Sequence, residues 1–262
     1  MKKIIGLSLT LAFLLSSVSM ATFMQPATPA SEEFPFRLGL GFQTQLVKRP
    51  LINPSPGFGI ESMGGALSFS HNVGNDFEYG LAVYTGGMSY GHMFNKASTD
   101  AKLGMGYWGV DLMARYMPEL VQDFHFGFVL NFGIDGVRNI YGKDKNPIFK
   151  AHEEGIAFGN LYVKLGPAMS YRFADCFALS FAPQVTLTKI RFYKEKAAPG
   201  LKDQKNYFGL EAPVAALFTF YDHLGVALEV NPMITRLNKL KADEKIIDYF
   251  ALGFTFGLTY SF

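Results

Sequence analysis

From Phe36 onward the chain alternates large apolar residues with small or polar ones at a period of two, the pattern of a strand with one apolar and one wet face. The first such run sets Phe36, Leu38, Leu40 and Phe42 against Arg37, Gly39, Gly41 and Gln43. The clearest sets Phe124, Phe126, Phe128, Leu130, Phe132 and Ile134 against His125, Gly127, Val129, Asn131, Gly133 and Asp135. Similar runs at 59–70, 77–84, 107–116, 161–173, 177–187, 209–220, 224–231 and 250–262 predict ten strands in all. Residues 22–34, with Pro26, Pro29 and the pair Glu32 and Glu33, read as a flexible lead-in before the first of them.

The polarity of the two faces decides what kind of sheet this is. In a water-soluble barrel the bulky apolar side chains fill the inside, whereas here Phe and Leu share one face and Gly, Ala, Ser and charged residues share the other. Small and polar side chains pack a narrow lumen while Phe and Leu face lipid. The connections agree. Short ones (71–76, 118–122, 174–176, 222–223) alternate with longer ones (47–58, 90–103, 137–155, 194–206, 235–247), as periplasmic turns alternate with outer loops when an even number of strands leaves both chain ends in the periplasm. The expected fold is all-β: one ten-stranded antiparallel transmembrane barrel over 35–262.

The N-terminus carries Lys2 and Lys3, an apolar run from Ile4 to Val18, and the small-residue pattern Ser19-Met20-Ala21. This predicts an export signal over 1–21, cleaved after Ala21. Its loss removes two lysines and leaves 22 basic against 22 acidic residues, so no basic excess favours a nucleic-acid partner. A hydrophobic fraction of 49% is high, yet no stretch after the signal approaches the length of a helical span. A closed barrel is the other backbone that satisfies its own hydrogen bonds in lipid. Cys176 is the one cysteine, so no internal disulfide can staple the fold.

The chain ends Leu258-Thr259-Tyr260-Ser261-Phe262, in phase with the last strand. This ending resembles the C-terminal signature of bacterial outer-membrane β-barrel proteins, of the small-barrel class, and the resemblance covers 36–262 as an architecture. It implies outer-membrane localisation, contact with outer-membrane lipid and lipopolysaccharide, and assembly by the barrel-assembly machinery. Leu258, Tyr260 and Phe262 would form the recognition signal.

Three groups of residues carry candidate chemistry. Arg37, Glu78, Asp111, Arg115, His125, Asp135, Lys164, Arg172, Glu211 and Glu229 all fall on the inward face. Charges so confined need partners or water, which predicts a salt-bridged plug or a narrow pore lined by both signs. Pro167, Pro183, Pro213 and Pro232 fall in four consecutive strands. Proline donates nothing to the ladder, so each should mark a bulge or an early end to pairing, either to set curvature or to weaken the wall for lateral entry of lipid or apolar solute. All five longer loops carry net positive charge, suited to phosphorylated headgroups or simply to solubility. His92 and His152, with Asp100, Glu153 and Glu154 nearby, are the raw material for an outer-membrane hydrolase. No zinc-type spacing or nucleophile elbow accompanies them, so no catalytic residue, metal or cofactor is assigned. The expectation is a non-enzymatic barrel, structural or surface-exposed or a narrow channel, with lateral transport of apolar solutes as the alternative.

Overall fold

The structure, a computed structural model, describes residues 34–48, 58–74, 76–89, 104–139, 157–192, 206–220, 223–236 and 248–262. The expected signal over 1–21, most of the expected lead-in over 22–34, most of the longer connections, and His92 and His152 lie outside the described residues. The strands are β1 (Phe36–Lys48), β2 (Phe58–Val73), β3 (Phe77–Ser89), β4 (Gly104–Tyr116), β5 (Glu119–Val121), β6 (Phe124–Asn139), β7 (Ala157–Ala174), β8 (Phe177–Phe181), β9 (Gln184–Phe192), β10 (Asn206–Glu211), β11 (Val214–Phe220), β12 (Leu224–Arg236) and β13 (Asp248–Ser261). β5 is a short turn strand, β8 and β9 are halves of one crossing, and β10 and β11 are halves of another, so ten crossings form the wall.

Each crossing pairs antiparallel with its sequence neighbour, and the ring closes where β1 pairs with β13 from Arg37↔Ser261 to Lys48↔Phe250. Phe36 and Phe262 exchange backbone hydrogen bonds of 3.0 and 2.9 Å at the seam. Closure leaves no edge strand. The sheet read from the alternation is therefore the observed fold, a closed ten-stranded antiparallel barrel.

The faces fall as the alternation predicts. Leu40, Leu67, Leu112, Phe128, Leu187 and Leu258 stand exposed on the outside, while Ala66, Ala82, Asp111, Asn131, Lys164 and Thr186 are buried within. At the short-turn end the outer face carries a ring of aromatic contacts. Phe36 stacks on Phe262 at 5.6 Å and on Phe69 at 6.0 Å, and Phe177 packs on Phe218 at 4.7 Å.

Inside, glycine makes room for the large side chains. A side-chain carbon at Gly109 would collide with the Tyr84 ring, and one at Gly133 with the Tyr162 ring. The two phenols therefore lie flat over glycines of neighbouring strands, and their hydroxyls meet at 3.3 Å.

Of the two outcomes expected at the prolines, the bulge is absent and the early end to pairing is what occurs. No register shift occurs at any of them; the irregularities fall at Gln45/Leu46, Glu119/Val121 and Arg172/Ala174 instead. Pairing lapses locally and resumes in the same register. Between β7 and the β8–β9 crossing it lapses between Met169↔Phe181 and Leu165↔Val185, placing Pro167 opposite Pro183. In the next seam it lapses between Val214↔Phe181 and Glu211↔Gln184, and in the third between Val214↔Val230 and Glu211↔Met233. β6 pairs unbroken across Pro167, and β13 across Pro232.

The geometry of an antiparallel rung explains this. One residue points its N–H and C=O at the same neighbour, so a proline weakens one side only. Ala182 N donates to Pro213 O at 3.1 Å and Ala212 N to Pro232 O at 3.0 Å, and neither proline has an N–H to return. Pro167 and Pro183 share a single rung position, so two prolines spoil one rung. The strands stay in contact there, because Gly166 rests directly against the Pro183 carbonyl oxygen with no space for a side chain.

Gly166→Ala is therefore expected to cost about 1–3 kcal/mol by overpacking, read from denaturant unfolding of the barrel in lipid vesicles. Gly65→Ala serves as the comparison. A carbon there meets only Gly41 O at an ordinary 3.6 Å, and near-neutral stability is expected.

Candidate functional site

Of the ten inward charged residues singled out by the alternation, eight are buried: Arg37, Glu78, Asp111, Arg115, Asp135, Lys164, Glu211 and Glu229. Arg172 is exposed and His125 half-buried near the short-turn end, where His125 Nδ1 lies 3.2 Å from Met117 O. Among the described residues, most of the buried charges fall into two clusters at different heights.

The lower cluster sits just above the short turns, where neighbouring strand ends bring Glu78 of β3 opposite Arg115 of β4. Arg115 Nε donates to Glu78 Oε2 at 2.9 Å, and Nη2 donates to the same oxygen. Arg37 Nε reaches Ser261 Oγ at 3.4 Å on the closing seam. An apolar cluster of Ala82, Met113, Met117, Val129, Ala168 and Ala182 fills the lumen beside these charges.

The upper cluster centres on Glu211 of β10. Its Oε2 accepts from Lys164 Nζ of β7 at 3.0 Å and from Asn231 Nδ2 of β12 at 3.2 Å, and its Oε1 accepts from Thr186 Oγ1 of β9 at 3.0 Å. Lys164 also lies over the Tyr162 ring, 5.2 Å from its centroid. Asn131 of β6 donates to Gln184 of β9 at 2.9 Å, and Gln184 Nε2 donates on to Ala182 O at 3.3 Å, beside Pro183. Asp111 stands within electrostatic range of Lys164, Glu211 and Asp135, yet among the described residues neither of its carboxylate oxygens accepts a hydrogen bond.

Sequence reasoning named the charged members of this cluster and passed over its neutral ones. Tyr84, Tyr162, Asn131, Gln184, Thr186 and Asn231 share the inward parity, and that parity was the signal that could have found them. Among the described residues no group of three or more His, Cys, Asp and Glu side chains could hold a metal ion.

The prolines form the second candidate site, on the other side of the same wall. Pro167, Pro183, Ala212 and Pro232 lie abreast across four crossings, by the register that flanks each lapse. They are small or ring-bound side chains between taller rims. A groove of about 510 Å³ runs along them, rimmed by Leu165, Val185, Leu210 and Ile234. Pro213 has the opposite parity and is buried inside. The proposed assembly signal lies elsewhere, with Leu258, Tyr260 and Phe262 exposed on the outer face of β13.

Fold and site together define a closed ten-stranded barrel, apolar outside, with two polar clusters inside and a grooved wall. No protein-family model matches the chain, and no curated protein matches it. Solved structures that resemble it include the outer membrane protease OmpT from Escherichia coli, at 13% identity and a TM-score of 0.43 over 92% of this chain and 100% of that one. Neisserial surface protein A (NspA) matches at 8% identity and a TM-score of 0.39, over 87% and 97% of the two chains. The translocator domain of autotransporter NalP from Neisseria meningitidis matches at 8% and 0.44, over 87% and 88%.

The clusters differ in what substitution should do. Glu78→Gln removes the buried carboxylate charge on which two Arg115 nitrogens converge, an expected loss of about 3–5 kcal/mol. Asp111→Asn removes a buried carboxylate that accepts no hydrogen bond, and unchanged or higher stability is expected. Urea unfolding of both variants in lipid vesicles measures the contrast.

Proposed function

We propose that the chain is a non-enzymatic integral protein of a bacterial outer membrane, exported by the segment 1–21 and inserted as a barrel whose lumen is braced shut. The observation that carries the reading is the reversed polarity of a closed barrel. Leu, Phe and Val stand exposed on every crossing while Glu78, Asp111, Arg115, Lys164 and Glu211 are buried inside. In water so continuous an apolar surface would drive association; in lipid it is the required exterior. The basic outer loops suit contact with lipopolysaccharide phosphates, and the β13 ending suits recognition by the barrel-assembly machinery.

The lumen supports a structural role over a conducting one. Tyr84, Tyr162 and Lys164 are among the largest fully buried side chains, and they cross the interior at the height of the upper cluster. Wild-type protein in planar bilayers is expected to show no stepwise conductance. Regular single-channel events would replace this reading with a pore.

A second reading, lateral access for lipid or apolar solutes, is favoured by one observation. The four prolines weaken three consecutive seams at one height, and the outer groove follows three of them, Pro167, Pro183 and Pro232. It predicts that proteoliposomes holding the protein take up an apolar fluorescent probe faster than empty liposomes. Equal rates would remove it.

A further inference from the structure

The three weakened seams share one feature on their lumen side. We infer that the Glu211 carboxylate is a latch holding the proline sector closed, so that lateral opening is governed from inside the lumen by this one group. The inference rests on the lateral-access reading and assigns its control element.

The connectivity carries it. The weakened seams lie between β7 and the β8–β9 crossing, between that crossing and the β10–β11 crossing, and between the β10–β11 crossing and β12. Glu211 lies on β10 and takes its three hydrogen bonds from Lys164 on β7, Thr186 on β9 and Asn231 on β12. Its partners thus fall on the other three crossings that bound the seams, and its bonds span all three. The bond from Lys164 reaches over an entire intervening crossing. Where prolines withdraw backbone donors, a carboxylate at the same height gathers side-chain donors across the same gaps.

The Lys164–Glu211 pair has both side chains 1% exposed, so its strength derives from a low-dielectric setting. A latch of this kind is strong while intact and fails as a unit, because losing either charge leaves the other buried and unpaired. Elsewhere the wall needs no such device. β1, β2, β3, β4 and β6 pair through long ladders with no proline between them.

The test is hydrogen exchange of the full chain in lipid nanodiscs, with apolar-probe uptake measured in parallel. Glu211→Gln is expected to raise exchange about tenfold or more at the amides of 165, 166, 168, 184–186, 210–212, 230, 231, 233 and 234, with β2–β4 unchanged. Thr186→Val removes a single donor and should give a smaller rise at the same positions, which keeps the test open if Glu211→Gln folds poorly. A cross-link should suppress the rise: Ala168→Cys with Ala182→Cys, paired across the first seam by register, in a Cys176→Ser background. Unchanged exchange in the sector, or an equal rise around the whole barrel, overturns the latch. Probe uptake by the wild type with unchanged exchange in the variants leaves lateral access standing without this latch. Raised exchange with no uptake in any variant keeps the latch and removes the transport reading.

Discussion

Closure of the hydrogen-bond ladder is the constraint on which the rest of this structure depends. A sheet with an apolar exterior can exist in lipid only if no edge is left unpaired. Here the seam between β1 and β13 removes the edge, running through twelve residue pairs from Arg37↔Ser261 to Lys48↔Phe250. Once the ring is closed, everything inside must fit a narrow, fixed cross-section. The lumen is filled by compromise between size and charge: glycine at 109 and 133 where tyrosine rings lie flat, alanine along the apolar cluster, and paired charges above and below. The same closure makes the four prolines costly. A closed ring has no idle edge to which a missing donor can be turned.

Much of this was legible in the sequence because a β-strand encodes its two faces at a period of two, and a barrel with an apolar exterior and a polar interior keeps that period for whole crossings. The ten runs became ten crossings with the parity predicted from Phe36 to Phe262, and eight of the ten inward charges are buried. Arg172 and His125 departed because inward parity near a strand end does not guarantee enclosure. The side chain of Arg172 lies beside the register irregularity at Arg172/Ala174, where the barrel opens into its turn.

Two features were not legible, for different reasons. Pairing across the lumen depends on barrel curvature and strand tilt, which alternation does not encode. Lys164 and Glu211 are 47 residues apart and meet over an intervening crossing, while Asp111, equally inward, accepts no hydrogen bond among the described residues. The direction of each proline's defect was equally hidden. Sequence shows that Pro167 cannot donate, but not whether the missing rung faces β6 or the β8–β9 crossing. The unbroken Phe128↔Pro167 pairing answers that, and a bulge becomes unnecessary because Pro183 takes the opposite position on the same rung.

That arrangement bears on why the prolines cluster at all. Four prolines scattered around the ring would each weaken a separate seam, leaving every seam held by its remaining rungs. Gathered at one height on consecutive crossings, they concentrate the loss in a band whose outer side is grooved and whose inner side holds the three hydrogen bonds to Glu211. A need for curvature alone would be met by bulges, which bend a strand without removing donors from three adjacent seams. The substitution of side-chain bonds for backbone rungs makes a different kind of wall. Backbone rungs are broken one at a time along a ladder, whereas bonds gathered on one carboxylate are lost together, so the sector has a closed state that is sharply defined rather than gradually loosened.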